Sequence, residues 1–505
     1  MKKLLTLALV ALMALLPVMG LAGDGIVTIW ITGSGGTVTD WANNAILKEI
    51  EARTGTDIEV VWIPDGFSDQ ANAAAASQDM PDILAYLDHG AKTTLQMWAD
   101  GEVIAPFVGE VAEAAPNLMK VYAENVNLSE IKFNGDPYLI PVSWGVDNAP
   151  NMGLIHVRGD LMEKYGFERI DTYAQYVDFL RAAVADGSIG LTFEGSPNGL
   201  LNQILSVFLG GMGKPMRGWV KGEDGSFSHW SVQPEVPAAI NCIRELIAEG
   251  LVDPGVWSAN HDTARTNYAS GLAASYIFNG GGHIGRLQTD MMLVDPSFKE
   301  VLLPALDFGN GVRGYTQEDM FWGGAMLGNT ANCDPVEAAK VVDFLISEEG
   351  YELTAIGIEG VHFTRENGEI VWLDARFADG FPTEALDAGA HPLASGLVSW
   401  VPQSWQDFQL LYGQDEAFKA WYEAQRANQV QYQIENYGRN ITTPLWTEFQ
   451  STDSELYQRY AMEAVTAGSA EEVEAVWANY VKEWMNSGGE AASAEMSATL
   501  AEVYK

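Results

Sequence analysis

Residues 26–32 form a short apolar run, Gly33-Ser34-Gly35-Gly36 follows as a tight loop, and residues 43–54 carry Ile46, Leu47 and Ile50 at helical spacing before Gly55 stops the pattern. Residues 58–63 then return to a strand signal. A strand–loop–helix–strand opening admits few architectures, because a helix that connects two neighbouring strands makes them parallel and covers one face of their sheet. The chain therefore opens as an α/β unit with a mainly parallel sheet.

The alternation continues. Residues 83–87, 138–142, 153–157 and 273–278 read as strands, and 159–165, 172–184 and 237–249 as helices. Asp334, Pro335 and Glu337 make a helix start with a capping-box spacing, its stripe runs from 338 to 346, and Gly350 ends the signal. Ser469 and Glu472 repeat the capping spacing. Val473, Val476, Trp477, Tyr480, Val481 and Trp484 follow at helical intervals and read as core. At 505 residues the chain exceeds what one core usually organises, and no internal repeat or proline-rich linker divides it. Two lobes that share several chain crossings fit that pattern, with disorder expected only near the C-terminus.

The first 22 residues read as an export signal. Lys2 and Lys3 precede an apolar run over 4–16, and Gly20-Leu21-Ala22 supplies small residues for cleavage. The run is too short for a membrane span, Asp24 follows at once, and no cysteine sits at the cleavage point to take a lipid. A mature protein from Gly23, periplasmic or secreted and without a lipid anchor, is expected. Outside the cytoplasm, functions that need ATP or nicotinamide cofactors become implausible.

The net charge is −40, from 68 acidic and 28 basic residues. Such a surface repels nucleic acid and anionic lipid headgroups. Cys242 and Cys333 belong to no CxxC pair; they either form one disulfide or stay separate buried thiols, and the second reading is favoured. Gly33-Ser34-Gly35-Gly36 raises the question of a dinucleotide loop, but the third glycine of that fingerprint falls on Val38. HExxH, GxSxG and zinc-type Cys/His clusters are absent from the sequence, so no catalytic residue is assigned. A carboxylate pair acting on a glycosidic bond stays open among so many acids.

Several segments, in order, resemble the family 1 extracellular solute-binding proteins of ABC importers, in particular their large oligosaccharide-binding branch. They are 77–83, with its Pro81-Asp82-Ile83 turn; Ala115-Pro116-Asn117-Leu118, followed by Tyr138-Leu139-Ile140-Pro141; Val157-Arg158-Gly159-Asp160-Leu161; Ser270-Gly271-Leu272-Ala273-Ala274; the 334–350 helix; and Gly357-Ile358-Glu359-Gly360-Val361-His362-Phe363. The resemblance implies two α/β lobes joined by a multi-strand hinge with ligand between them. It places one lobe at 23–148 plus 306–374 and the other at 149–305 plus 375–505, the latter with a helical C-terminal part. It also implies oligosaccharide capture by hinge closure, delivery to membrane permease subunits, no cofactor, and a monomer. The departure is at Asp186-Gly187-Ser188: some large members carry a calcium loop after the preceding helix, and alternating oxygen ligands are missing here, so no metal site is expected. Competing readings are a secreted glycoside hydrolase or lyase, and a peptide-binding importer subunit.

Saccharide sites combine flat aromatic faces with polar groups that bind hydroxyls. Aromatics in loops beside Gly, Asn or Asp are better candidates than those inside helical stripes. On that basis Trp144, Trp257, Trp322, Trp400 and Trp405 are the candidate stacking residues, and Asp88, His89, Asp147, Asn148, Asp262, Asn279, Glu359 and His362 the polar ones. A backbone-capping role in a glycine-bounded turn competes for Glu359.

Overall fold

The architecture is that of a computed structural model that describes residues 25–32, 40–85, 92–124, 128, 131–143, 153–195, 201–278, 286–317, 321–373, 411, 414–430 and 432–505. The chain starts a first sheet with β1 (Ile26–Ile31), β2 (Asp57–Trp62), β3 (Ile83–Leu84), β4 (Ile104–Ala105) and β5 (Ile140–Ser143). It then builds a second sheet from β6 (Leu154–Arg158), β7 (Ile189–Phe193), β8 (Ala273–Phe278) and β9 (Glu300–Leu302), and returns to the first with β10 (Phe321–Gly328). The first sheet runs β2-β1-β3-β10-β4, with β5 also on β10; the second runs β9-β6-β8-β7. The strands β1, β2 and β3 are parallel, and so are β7 and β8. The strand β10 runs against β3, β4 and β5, and β6 against β8 and β9.

Each sheet has its own core. The first joins Ile29, Ile46, Leu84, Trp98, Met326 and Val342 among others; the second joins Val157, Phe179, Phe208, Ile243, Ile277 and Trp477. Leu306 and Tyr315 also pack in the second core, and Tyr315–Thr316 pairs with Gln433–Ile434. Cys333 lies against the first core and Cys242 against the second, and both thiols are free. Burial pushes the Cys242 thiol up to about 11.

Local sequence explains the boundaries. Asn44 caps the helix Ala45–Thr54 by accepting from the Leu47 amide, and Gly55 closes it in the left-handed region at φ 74°. Thr172 and Gln175 form a complete capping box on Tyr173–Ala185. At the helix Pro335–Ile346, Asp334 accepts from the amides of Val336 and Glu337, but the Glu337 side chain does not reach back. It accepts from Thr56 and pairs with Lys340 instead, which corrects the expected capping box. The helical signal does not run on to Gly350 as one helix either: Ser347 breaks it and caps a second helix, Glu348–Ala355, that passes through Gly350.

The C-terminus, expected to be disordered, is a helix from Glu490 to Val503. Ala492, Met496 and Leu500 recur every four residues and are buried against the second core. The helices Pro444–Val465 and Ala470–Trp484 complete this unit, and Val473, Trp477, Tyr480 and Trp484 face inward as the stripe requires. They close over His229, whose ring stacks on Trp484 with centroids 5.5 Å apart. Tyr480 donates to Ser231 Oγ at 2.8 Å, and Ser231 Oγ lies 2.8 Å from His229 Nδ1. Burial pushes the His229 imidazole below its ordinary value, with Asp453 opposing.

Candidate functional site

Open α/β sheets bind ligands at the carboxyl ends of their parallel strands. Here the pairing register puts the ends of both sheets on the route that joins them. In the first sheet Ile31 lies beside Trp62, Leu84 beside Met326, and Ser143 beside Phe321, so the ends of β1, β2, β3 and β5 and the start of β10 share one edge. In the second sheet Phe193 lies beside Ile277 and Leu154 beside Phe278, so the ends of β7 and β8 share an edge with the start of β6. The chain passes from the end of β5 straight to the start of β6. It returns from Gln317 to Phe321, four residues on, which caps that separation at about 14 Å. The first passage thus ties the carboxyl edge of one sheet to that of the other, and the second leads from the ladder Tyr315–Thr316 to the same edge of the first sheet.

Aromatic and acidic side chains are among the described residues at these edges. Trp62 ends β2 and is 43% exposed. Its position as the last residue of a strand could have revealed it from sequence, where attention to loops missed it. In the second sheet Glu194 follows β7, and the carbonyl of Val256 packs so closely on Gly195 that a Cβ there would sit 2.4 Å from it. That contact holds the turn Val256–Ser258, and with it the half-buried Trp257, beside the end of β7. The helix His261–Ala269 starts at the same edge, capped by Asn260, whose side-chain Oδ1 accepts from the Thr263 amide at 2.9 Å. Its first turn presents exposed Asp262, and the His261 ring stacks on Phe278 with centroids 4.2 Å apart. The Tyr276 hydroxyl lies 3.4 Å from His261 Nδ1, and its pKa is pushed well up, chiefly by burial, with Glu194 and Asp262 adding and Arg265 opposing.

Of the residues expected from sequence, Trp257 and Asp262 therefore meet at the edge of the second sheet, with His261 and Glu194 as additions. Trp322 is in β10 at the edge of the first, where the register shifts between Phe321 and Gly323. Glu359 and His362 lie together in the turn that precedes the hairpin Phe363–Glu366 and Glu369–Trp372. Their polar atoms serve that turn. His362 Nδ1 accepts from the Ile358 amide at 2.9 Å, and Glu359, 53% exposed, is 3.5 Å from Arg365. The backbone-capping role considered for Glu359 thus falls to His362. Asp88, His89, Trp144, Asp147, Asn148, Asn279, Trp400 and Trp405 lie outside the described residues, as does the glycine loop 33–36.

Three residues separate the helix Tyr173–Ala185 from β7, and Asp186 among them accepts from Lys164 and from the Tyr165 hydroxyl. Among the described residues, no group of three or more His, Cys, Asp or Glu side chains is placed to hold a metal ion, and no helix is long and apolar enough to cross a membrane.

The profile of the family described as "Bacterial extracellular solute-binding protein" matches residues 35–352, more than half of the chain. A lipoprotein of Bacillus subtilis (strain 168), LipO, is 24% identical over 65% of this chain and 66% of its own length. The fructooligosaccharide ABC transporter substrate-binding protein FusA of Streptococcus pneumoniae serotype 4 is 23% identical over 41% of each chain. The matched region thus spans from about two fifths to just under two thirds of these curated relatives. In three dimensions the chain superposes on the alginate-binding protein AlgQ2, crystallised without calcium ion, with a TM-score of 0.70 at 16% identity, covering 95% of this chain and 99% of that one. FusA in complex with kestose gives 0.69 at 17% identity with the same coverage. These superpositions place the chain in the two-lobe, periplasmic-binding-protein-like fold. The chain belongs to the bacterial extracellular solute-binding protein family.

Proposed function

We propose that this protein captures an oligosaccharide between its two lobes and delivers it, intact, to the permease subunits of an ABC importer. The observation that carries the reading is that β5 ends at the carboxyl edge of the first sheet and β6, the next strand along the chain, starts at the carboxyl edge of the second, with Trp62, Trp257 and the His261–Phe278 stack at those edges. Aromatic faces of this kind pack on the C–H faces of sugar rings, and carboxylates and imidazoles bind hydroxyls. FusA, named for fructooligosaccharide, and AlgQ2, named for alginate, support the same class of ligand.

We place two of the three lobe crossings at 144–152 and 318–320, so that 303–317 belongs with the second lobe, in whose core Leu306 and Tyr315 pack. Closing these lobes nearly completely on a ligand needs a preference for the closed state of about 5.5 kcal/mol, within reach of a few stacked rings and buried hydroxyl bonds. The protein acts outside the cytoplasm as a monomer, makes and breaks no bond, and with 68 acidic against 28 basic residues does not engage nucleic acid.

A thermal-melt screen against oligosaccharides of graded length and against peptides tests this. A ligand that binds only the folded state raises the midpoint by mass action. A shift with one saccharide series, recovered at full length, is the expected result. A shift with peptides alone overturns the ligand class, and shortened saccharide overturns transport in favour of a hydrolase or lyase.

A further inference from the structure

We infer that Asn436 is a positioning residue for lobe closure: it fixes the chain at Gln317, so that residues 314–317 move with the second lobe as one body. This rests on the closure reading above. Gln317 is the last described residue before β10 of the first sheet. Tyr315–Thr316 pairs in parallel with Gln433–Ile434; the Tyr315 amide donates to the Tyr432 carbonyl at 2.9 Å, and the Gln317 amide to that of Ile434 at 3.2 Å. Gln317 Nε2 donates to Gln433 Oε1 at 2.9 Å. Asn436 closes this ladder. Its Nδ2 donates to the carbonyls of Met216 at 3.1 Å, Arg217 at 3.3 Å and Gln317 at 3.5 Å, while the Met216 amide donates to Thr316 Oγ1 at 3.2 Å. One side-chain amide thus ties the departing strand to the loop that follows the helix Asn202–Gly211.

Three carbonyls around one end fix which way the amide points, since Oδ1 in their midst would be repelled. Oδ1 instead lies buried against Gly218 with no hydrogen-bond partner, where a Cβ on Gly218 would collide with it. A buried acceptor left unpaired costs stability, so the site keeps this asparagine for its donors. The backbone is strained at the same place. Arg217 and Tyr432, neither of them glycine, are left-handed at φ 58° and 63°. Such residues persist where the surrounding contacts over-determine them, and they cluster where conformational change is controlled.

The helix Glu416–Val430, which leads into the ladder, is anchored to the sheet. Trp421, Gln425 and Asn428 share one face and bond the outer edge of β9: Trp421 Nε1 donates to the Glu300 carbonyl at 2.8 Å, Gln425 Oε1 accepts from the Leu302 amide at 2.8 Å, and Asn428 Nδ2 donates to the Leu302 carbonyl at 2.9 Å. The departing strand therefore starts from a base joined to the second sheet. Closing on a ligand must order whatever backbone the open form leaves loose, and a fixed base keeps that cost small.

Hydrogen exchange and calorimetry on the wild type, Asn436→Ala and the milder Gln317→Ala test this, with fructo-oligosaccharides and malto-oligosaccharides as probes. Without ligand, the wild-type amides of Tyr315 and Gln317 should exchange as slowly as that of Leu191 on β7. Asn436→Ala should speed exchange at Gln317 about fivefold to tenfold and leave Leu191 unchanged. Affinity for the saccharide bound should fall about fivefold to thirtyfold, the cost of ordering roughly one more residue on closing, although Asn436 touches no ligand. The radius of gyration at saturation should match the wild type, and Gln317→Ala should shift exchange and affinity the same way by less. Fast exchange at Gln317 in the wild type, or no acceleration in either variant, overturns the clamp. Faster exchange with unchanged affinity overturns the positioning role and leaves the closure reading standing. Binding of neither saccharide by the wild type counts against the saccharide reading alone, and the exchange result still decides whether Gln317 is fixed.

Discussion

Asp82 is the residue whose removal should most damage the first lobe. Its carboxylate is 4% exposed and accepts two backbone amides, Thr28 on β1 through Oδ2 and Asp334 through Oδ1, each at 2.8 Å. It thereby joins the first strand of the sheet to the cap of the helix Pro335–Ile346, more than 250 residues later. Leaving each amide without an acceptor costs about 1–3 kcal/mol, so Asp82→Ala should lose about 2–5 kcal/mol. With a lobe of ordinary size that is a fall of about 5–15 °C in its melting midpoint. Asp82→Asn keeps one acceptor and turns a donor toward the other amide, so roughly half of the loss is expected. Burial also holds the Asp82 carboxyl above its ordinary range, ahead of the opposing hydrogen bonds. A raised folded-state pKa favours the folded state at low pH and loses that contribution as pH rises through it. The gap between wild type and Asp82→Ala should therefore widen as pH falls from 7 toward 4. Denaturant unfolding followed by tryptophan fluorescence and by circular dichroism, at both pH values, measures it. A loss below about 1 kcal/mol at both would refute the argument, because it would mean that the two amides find other acceptors.

His229 carries a second pH dependence with the opposite sign. Its depressed imidazole contributes stability that is present above about pH 6.5 and is lost as pH falls through the folded value, so unfolding of the C-terminal helices should become easier between pH 6.5 and 5, and His229→Gln should flatten that slope. Gly190→Ala should cost about 1–3 kcal/mol in the second core, since its Cβ would lie 2.3 Å from the Leu251 carbonyl oxygen; an unchanged urea midpoint would contradict the close approach. Trp62→Ala should cost no more than about 1 kcal/mol of stability, because Trp62 is 43% exposed at the end of an edge strand, while saccharide affinity falls about threefold to tenfold; calorimetry that finds no change in affinity removes Trp62 from the site.

Much of the scaffold was legible because its signals are local. The helix Gly159–Tyr165 and the strand Ala273–Phe278 fall where the sequence puts them, and Thr172, Asp334 and Ser469 cap as their side chains allow. The capping carboxylate of Glu337 was misread because Thr56, nearly 300 residues earlier, competes for it. The C-terminal helix was missed for a related reason. Its stripe of Ala492, Met496 and Leu500 is weak alone and is stabilised by the hairpin Trp219–Lys221 and Phe227–His229, where the Phe227 amide donates to Ser497.

The proposed site was harder to read, because it draws on strand ends from distant parts of the chain. Glu359 and His362 lie in the turn before their hairpin, where His362 Nδ1 accepts from the Ile358 amide and Glu359 is 3.5 Å from Arg365. Trp62 ends a strand and His261 opens a helix, so neither carries the loop signature, and the register shows which strand ends lie together.

The central claim is that ligand is held between two lobes that close on it. Small-angle X-ray scattering of the protein with and without a saturating amount of the saccharide found by melting tests it most directly. The account predicts a smaller radius of gyration with ligand and recovery of the saccharide unshortened. An unchanged radius at saturation, or a ligand recovered in pieces, would contradict it.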